Sequence, residues 1–317
     1  MTRATGIQIA GDRLRLACLE RTPAGYRLCA LFETRLATPV LPHWPVQPLV
    51  RQCIAEGLQN AFAQVQKVPG SVVLSLGGGF FHLQKSHLEL ASSEDRQEHI
   101  TWEAAQTLVD PIERYVVDYI AVGRAAFWIA IRKEVLDFCS ELLSSLLVTK
   151  YRLETEPIGL YYACLMAKGR AGSGAAVMGG HPWLYFVATE SGKLVSAEAV
   201  CLENTRPVGG SQDETSREYA ILERTDAILH RWLDERRHFN RNRAEFDHVL
   251  LCGENHRIET LGQRIEKAVG SGFETLLPFL NCTTETLPES QRHFLVNQST
   301  FSVAGGLAYM KLAREQT

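Results

Sequence analysis

One succession of predicted elements occurs twice in this chain: a β-hairpin, a third strand, an amphipathic helix and an apolar strand. The first occurrence spans residues 4–76 and has its hairpin turn at 10–12, where Gly11 and Asp12 stand. The second spans residues 183–252 and has its hairpin turn at 190–192. Self-similarity on this scale predicts two lobes that are built on one α/β plan.

Two further segments predict how the chain is divided. Residues 77–124 interrupt the first unit with strands and a helix of their own, and a segment of this size is expected to be a small α+β subdomain. Residues 127–131 are then predicted to return to the core of the first lobe. The glycine-rich segment 169–181 is predicted to be a flexible linker. The expected domains are therefore a first lobe over 1–168 and a second lobe over 182–317.

Composition excludes several classes of protein. The formal net charge of -3 gives no basic surface for nucleic acid. Eight cysteines without a C-x-x-C pair, and ten histidines without paired metal-ligand spacing, predict no metal site and a reducing compartment. The longest apolar runs are far shorter than the roughly 20 residues that span a bilayer. We therefore expect a soluble intracellular protein.

Six segments resemble, in the same order, the type IV pilus assembly protein PilM family, which is related to the division protein FtsA. The segments are GIQIAGDRLRLACLE at 6–20, VVLSLGGGFFHLQKSHLEL at 72–90, ITWEAAQTLVDPIERYVVDY at 100–119, WIAIRKEVLDFCSELL at 128–143, LETEPIGLYYA at 153–163 and FSVAGGLAYM at 301–310. The third is the most specific match. The resemblance implies an actin-like (ribonuclease H-like) duplicated fold, with two lobes and a small inserted subdomain in the first.

The resemblance also implies a nucleotide site, from which this sequence departs. Residues that would contact a bound nucleotide are Gln8, Gly11, Asp12, Gly209, Gly210, Gly253 and Glu254. Gln8 stands where the family has an aspartate, residues 186–188 supply no carboxylate at the second turn, and Glu254 replaces a glycine. Phosphoryl transfer depends on groups that position and neutralise the phosphates. We therefore expect no enzyme and no required cofactor, with binding of ATP and magnesium as the alternative.

A partner site is expected between the first lobe and the inserted subdomain. Aromatic residues crowd this subdomain, more than a small unit buries easily. The resemblance implies that a groove there binds, as an extended strand, the cytoplasmic tail of a single-pass inner-membrane protein of the PilN kind. The residues predicted to bind this partner are Leu74, Leu76, Phe80, Phe81, Val117 and Tyr119.

The function expected from these observations is that of a scaffold in a type IV pilus or related secretion assembly. It would be cytoplasmic and would reach the inner membrane only through its partner. An actin-like ATPase or sugar-kinase relative is one alternative, and the cytoplasmic domain of a type II secretion L-type protein is another. Self-association, as in filament-forming relatives, stays open.

Overall fold

The computed structural model describes residues 2–40, 47–65, 70–88, 93–122, 125–169, 172–179, 183–201, 246–253 and 272–314, with scattered helical positions between 223 and 267. Within these residues the chain forms two mixed five-stranded sheets and one three-stranded antiparallel sheet. No helix in this part of the chain is both long enough and apolar enough to cross a lipid bilayer.

The first sheet has at its centre one long strand that turns back on itself. The strands lie in the order β13 (Cys282–Thr283), β2 (Gly25–Val40), β1 (Arg3–Thr22), β3 (Ser71–Leu76) and β7 (Tyr151–Thr155). The backbone N–H of Arg21 donates to the carbonyl of Thr2 (3.0 Å), and Gly11 has a φ of +57°, so β1 folds into a hairpin at this glycine. Its first half pairs parallel with β3 and its second half antiparallel with β2. The hairpin predicted around 10–12 is confirmed.

Helices cover both faces of the first sheet. Helices α1 (Pro48–Gln64) and α3 (Lys133–Ser145) pack on one face. Helices α4 (Glu156–Lys168) and α5 (Ser302–Arg314) lie on the other side, where they also pack against each other. In α1 a proline occupies the first turn, and the buried residues recur at three- and four-residue spacing. They are Val50, Ile54, Gly57, Leu58 and Ala61.

Glycines allow α5 to lie directly on its neighbours. A Cβ atom at Gly6 of β1 would lie 1.9 Å from the carbonyl oxygen of Ala304 in α5. A Cβ atom at Gly306 of α5 would lie 1.9 Å from the carbonyl oxygen of Gly159 in α4. Only residues without a side chain fit at these crossings, which explains the glycines at positions 6 and 306.

A three-stranded sheet and one helix form the inserted subdomain. The strands lie in the order β4 (Phe81–His87), β6 (Ala125–Arg132) and β5 (Tyr115–Val122), and α2 (Ser93–Thr107) covers one face. The predicted boundary at 124 is wrong, because β6 pairs with β4 and β5 and does not return to the first sheet. Both faces of β6 contribute to buried clusters. When a strand is apolar on both faces, its sequence does not indicate which sheet the strand joins.

The second sheet repeats the plan of the first. The strands lie in the order β10 (Lys193–Cys201), β9 (Trp183–Glu190), β8 (Ser173–Gly179), β11 (His248–Gly253) and β12 (Phe273–Thr275). As in the first sheet, the central strand pairs antiparallel with the strand that follows it and parallel with a later one. The predicted hairpin of β9 and β10 is confirmed, with a two-residue turn at Ser191 and Gly192, which both have positive φ.

The segment predicted to be a linker, 169–181, instead contains the central strand of this second sheet. All seven residues of β8 are buried. Five of the seven are glycine, alanine or serine, and at Gly174 a close neighbour requires this, because a Cβ atom there would lie 2.1 Å from Nε2 of His248. The linker prediction is wrong here because small residues predominate, and Val177 is the one β-branched or aromatic residue of β8 that indicates a strand.

Candidate functional site

A groove opens between the inserted subdomain and one edge of the first sheet. Its cavity has a volume of about 470 Å³. Strands β5 and β7 border it, and within the described residues each pairs with another strand on one side only. An unpaired strand edge presents backbone N–H and C=O groups to which another extended chain can hydrogen-bond.

The floor of the groove is apolar and buried, whereas its mouth exposes apolar side chains. Leu74 and Leu76 of β3 and Phe80, which follows that strand, are buried in the floor. Val116 of β5 and Tyr151 of β7 also line the groove, yet they are 43% and 39% exposed. Large apolar side chains exposed beside an apolar cavity mark a surface that suits an apolar ligand.

Most residues predicted to bind a partner lie together in this groove. Those that line it are Leu74, Leu76, Phe80, Phe81 and Tyr119. Val117 does not line it, and its side chain, like that of Tyr119, packs against the buried cluster beneath α2. Successive side chains of a strand point to opposite faces, so Val116 and Ile120 line the groove in its place. That these residues bind a partner stays a prediction.

One wall of the groove was not predicted from the sequence. It is formed by side chains of β6, α3 and β7, namely Ile129, Ile131, Leu136 and Leu153. These elements come together only through long-range pairing, for which the sequence carries no local signal. The alternation of side chains between the two faces of β5 is the sequence signal that places Val116 and Val117 on opposite faces.

Charged side chains also line the groove. They are Asp118, Asp137, Arg152 and Glu154. Nη2 of Arg152 lies 3.2 Å from Oε2 of Glu154. Burial raises the pKa of Glu154, and the positive charge of Arg152 opposes that shift. The groove therefore combines an apolar floor with an excess of acidic side chains.

A second candidate site is a cleft, where the carboxyl ends of β3, β7 and the first half of β1 meet the second lobe. Gln8 and Glu156 are both buried there, and Nε2 of Gln8 donates to Oε1 of Glu156 (2.5 Å). Glu156 is the first residue of α4 and directly follows β7. Burial raises its pKa to about 7, while hydrogen bonds from Gln8 and Tyr185 and the charge of Arg15 act in the opposite direction.

Aromatic side chains from the second lobe occupy this cleft. The hydroxyl of Tyr185 in β9 accepts a hydrogen bond from the backbone N–H of Gly78 (2.9 Å), and its side chain is buried. The indole of Trp183 packs so closely on Gly78 that a Cβ atom there would lie 2.7 Å from ring carbon Cδ2. The two side chains fill the space between the end of β3 and the second lobe.

The residues predicted to contact a nucleotide in the first lobe have other partners. Gln8 lies in the cleft and is bound to Glu156. Gly11 forms the turn of the first hairpin. The carboxylate of Asp12 is held by Arg35 at 2.6 Å and lies 3.7 Å from Arg13.

The predicted contacts of the second lobe are only partly described. Gly253 ends β11 with a φ of +117°, and a Cβ atom there would lie 2.2 Å from the carbonyl oxygen of Gly179. Strand packing by itself therefore requires glycine at this position. The remaining predicted residues, Gly209, Gly210 and Glu254, lie outside the described residues.

The second-lobe counterpart of Gln8 is Val177 on β8. The sequence prediction placed this counterpart at 186–188, which lies on the next strand, β9. Gln8 lies beside Ser75 on the neighbouring parallel strand, and Val177 lies beside Leu251. In each lobe the neighbouring strand has a glycine two residues further on, Gly77 after Ser75 and Gly253 after Leu251. The error follows from the missed strand β8. Because Val177 is buried and apolar, the second lobe also lacks a carboxylate at this position.

Glu156 is the charged residue of the cleft that sequence reasoning missed. The sequence pattern that could have identified it is a glutamate between a strand and a helix that has proline in its first turn. In the part of the chain that the structure describes, no three His, Cys, Asp or Glu side chains are grouped so as to hold a metal ion.

The comparison with known proteins rests on fold. The sequence matches no known family profile and no curated protein. A chain of the PilM–PilN type IV pilus biogenesis complex has a TM-score of 0.69 at 17% identity, over 97% of this chain and 98% of that chain.

Two further solved structures are similar over most of their length. A Bacteroides thetaiotaomicron protein with an actin-like ATPase fold and unknown function has a TM-score of 0.50 at 14% identity, over 93% of this chain and 96% of that one. The ethanolamine utilization protein EutJ from Carboxydothermus hydrogenoformans has a TM-score of 0.51 at 9% identity, over 98% of this chain and 90% of that chain.

Together with the duplicated sheets, these likenesses define the class: an α/β protein of actin-like fold, with two lobes and a small inserted subdomain in the first. The resemblance to PilM that the sequence motifs predict is confirmed as a likeness of fold over nearly the whole chain.

Proposed function

We propose that this protein is a non-enzymatic scaffold of a type IV pilus or related secretion assembly. Its groove binds the cytoplasmic tail of an inner-membrane protein similar to PilN, and this partner holds it at the cytoplasmic face of the membrane. The observation that carries the proposal is an open apolar groove with a free strand edge on either side. The likeness in fold to a chain of the PilM–PilN complex supports an assembly of the same kind.

The geometry of the groove favours an extended peptide as the ligand. Its volume of about 470 Å³ lies within the range that is typical of ligand pockets. An added strand would hydrogen-bond to the free edge of β5 or β7, and every second side chain would enter the apolar floor. A short membrane-tethered tail has the length and conformational freedom for this mode of binding.

The cleft supports the non-enzymatic part of the proposal. Transfer of a phosphoryl group requires space for the phosphates and charged groups that neutralise them. Here Tyr185 and Trp183 pack against Gly78, and the carboxyl group of Glu156 is buried, bound to Gln8 and partly protonated at neutral pH. This packing argues against a bound nucleotide with its magnesium ion, whereas Oε1 of Gln8 and Oε2 of Glu156 are left buried without a hydrogen-bond partner in the described part of the chain.

A second candidate is an ATP-binding protein, and one observation favours it. Glu156 places a carboxyl group at the carboxyl ends of parallel strands, which is where ligands bind in open α/β sheets. This function requires that Tyr185 and Trp183 leave the cleft when the nucleotide enters. Titration with ATP, described at the end of the Discussion, separates the two candidates.

Site-specific photocrosslinking in cells tests the proposed function. The photoreactive amino acid p-benzoylphenylalanine replaces Val116 in the groove or, as a control, Val109, which is 95% exposed and does not line the groove. We expect position 116 to crosslink to the N-terminal tail of a single-pass inner-membrane protein and position 109 not to do so. Absence of that adduct, or the same adduct from both positions, would contradict the proposal.

A further inference from the structure

The charges that line the groove do not balance. Asp118 of β5, Asp137 of α3 and Glu154 of β7 are acidic, whereas Arg152 is the one basic residue among the lining residues that the structure describes. Arg152 is paired with Glu154 at 3.2 Å. Two carboxylates, those of Asp118 and Asp137, are therefore left without a basic partner inside the groove.

Neighbouring cations do not neutralise these two carboxylates. Arg114 and Arg132, at the start of β5 and the end of β6, are both bound to Asp110. Lys133 lies one turn before Asp137 on α3, yet no ion pair joins them in the described chain. The carboxylate of Asp118 accepts only the backbone N–H of Tyr119 (2.8 Å) among the described hydrogen bonds.

From this imbalance we infer that the tail bound in the groove carries an arginine or lysine between apolar residues, and that Asp118 and Asp137 receive this side chain. The inference rests on the proposed function, because it names the chemistry of the partner in the same groove. Complementary charge at the rim of an apolar site contributes to the choice of partner more than to total affinity. The apolar floor then supplies most of the binding.

Strand geometry fixes the spacing of that basic residue. Val116, Asp118 and Ile120 lie on one face of β5 and line the groove. A peptide strand that pairs with the free edge of β5 places every second residue beside one of these three side chains. The complementary pattern is apolar, any residue, basic, any residue, apolar. This pattern is the same for parallel and antiparallel pairing.

Selection from a library of random ten-residue displayed peptides tests the inference without a known partner. Peptides are selected on the wild-type protein and counter-selected on the Val116→Trp variant, whose larger neutral side chain fills the mouth of the groove. We expect the surviving peptides to share apolar residues two positions on either side of one arginine or lysine.

A matched pair of double variants then tests the two carboxylates. Asp118→Asn with Asp137→Asn removes two negative charges from the groove, and Glu94→Gln with Glu98→Gln removes two from the exposed surface of α2. Each partly exposed ion pair changes affinity by up to about 5-fold. We therefore expect the groove variant to bind the selected peptides about 3- to 20-fold more weakly, and the control variant to bind them within 2-fold of the wild type.

The possible outcomes separate this inference from the proposed function. Apolar peptides without a basic residue, or basic peptides that bind the groove variant as tightly as the wild type, would overturn the inference and leave the groove as a tail-binding site. If counter-selection on the Val116→Trp variant leaves no binding peptides, the proposed function itself fails.

Discussion

The groove and the cleft lie on the same first lobe but differ in what fills them. The groove has an apolar floor, exposed apolar side chains at its mouth and two strand edges that are free within the described residues. The cleft is occupied by Tyr185 and Trp183 of the second lobe, and its polar residues Gln8 and Glu156 bond to each other. The groove is open to a ligand, whereas side chains of the protein fill the cleft, where Oε1 of Gln8 and Oε2 of Glu156 are buried without a hydrogen-bond partner among the described residues.

The two sites are joined through the segment that follows β3. In the cleft, Tyr185 of the second lobe accepts a hydrogen bond from the backbone N–H of Gly78 in the first lobe. Two residues after Gly78, Phe80 reaches the floor of the groove. The segment 78–80 therefore connects the filled cleft to the floor of the groove.

Truncation of the residue that fills the cleft gives the largest expected effect. Tyr185→Ala should lower the free energy of unfolding by about 3–5 kcal/mol, because it leaves a cavity between the lobes. Urea denaturation monitored by circular dichroism measures the change. Val116→Ala in the exposed mouth of the groove is the control and should change stability by no more than about 0.5 kcal/mol. Equal effects of the two substitutions would mean that the cleft is not filled.

The pH dependence of stability tests the carboxyl group of the cleft. The pKa of Glu156 rises from 4.5 to about 7 on folding because the group is buried, so the folded protein binds a proton that the unfolded chain releases. The stabilisation by this proton is complete below about pH 4.5 and is lost as the pH rises through 7. An amide at this position does not titrate. Glu156→Gln should therefore be more stable than the wild type at pH 8, by up to about 3 kcal/mol.

Chemical denaturation at pH 5 and pH 8 measures this difference. The two proteins should have similar stability at pH 5, and the difference isolates Glu156 because the buried Glu154 titrates in both. A Glu156→Gln variant that is less stable than the wild type at pH 8 would show that the ionised carboxylate is needed, as a site for a cation would require.

Removal of the Tyr185 hydroxyl group should lower the free energy of unfolding by a smaller amount. Tyr185→Phe leaves the backbone N–H of Gly78 without its acceptor, which should cost about 1–2 kcal/mol. The hydroxyl of Tyr185 also lowers the pKa of Glu156, so its loss should move the pH-dependent loss of stability to higher pH. Tyr119→Phe at the groove is the matched control and should change neither quantity. A Tyr185→Phe variant with wild-type stability at pH 6, 7 and 8 would refute the contact.

The parts of the fold that local signals specify were predictable from the sequence. The turns at Gly11 and at Ser191–Gly192 need positive φ, and the alternation of the flanking residues indicated both hairpins. Strands β8 and β6 were misassigned because their place depends on distant neighbours. The small side chains of β8 fit beneath residues such as His248, and β6 lies between two strands of the inserted sheet.

The candidate sites were predictable to a different degree. The groove follows from the aromatic residues of the inserted subdomain and from the resemblance to the PilM family, whereas Val117 lies on the other face of β5 because successive side chains alternate. The filled cleft was not predictable, since Tyr185 meets Gly78 across 107 residues of sequence. Nothing in the local sequence of either residue indicates that contact.

Calorimetric titration of the purified protein with ATP and magnesium at low salt tests the central claim, that the cleft is filled and the groove is the working site. We predict no measurable heat of binding up to about 1 mM ATP, because Tyr185 and Trp183 pack against Gly78 between the lobes. Binding tighter than about 100 μM, which corresponds to roughly 5.5 kcal/mol, would contradict the account and favour the ATP-binding function.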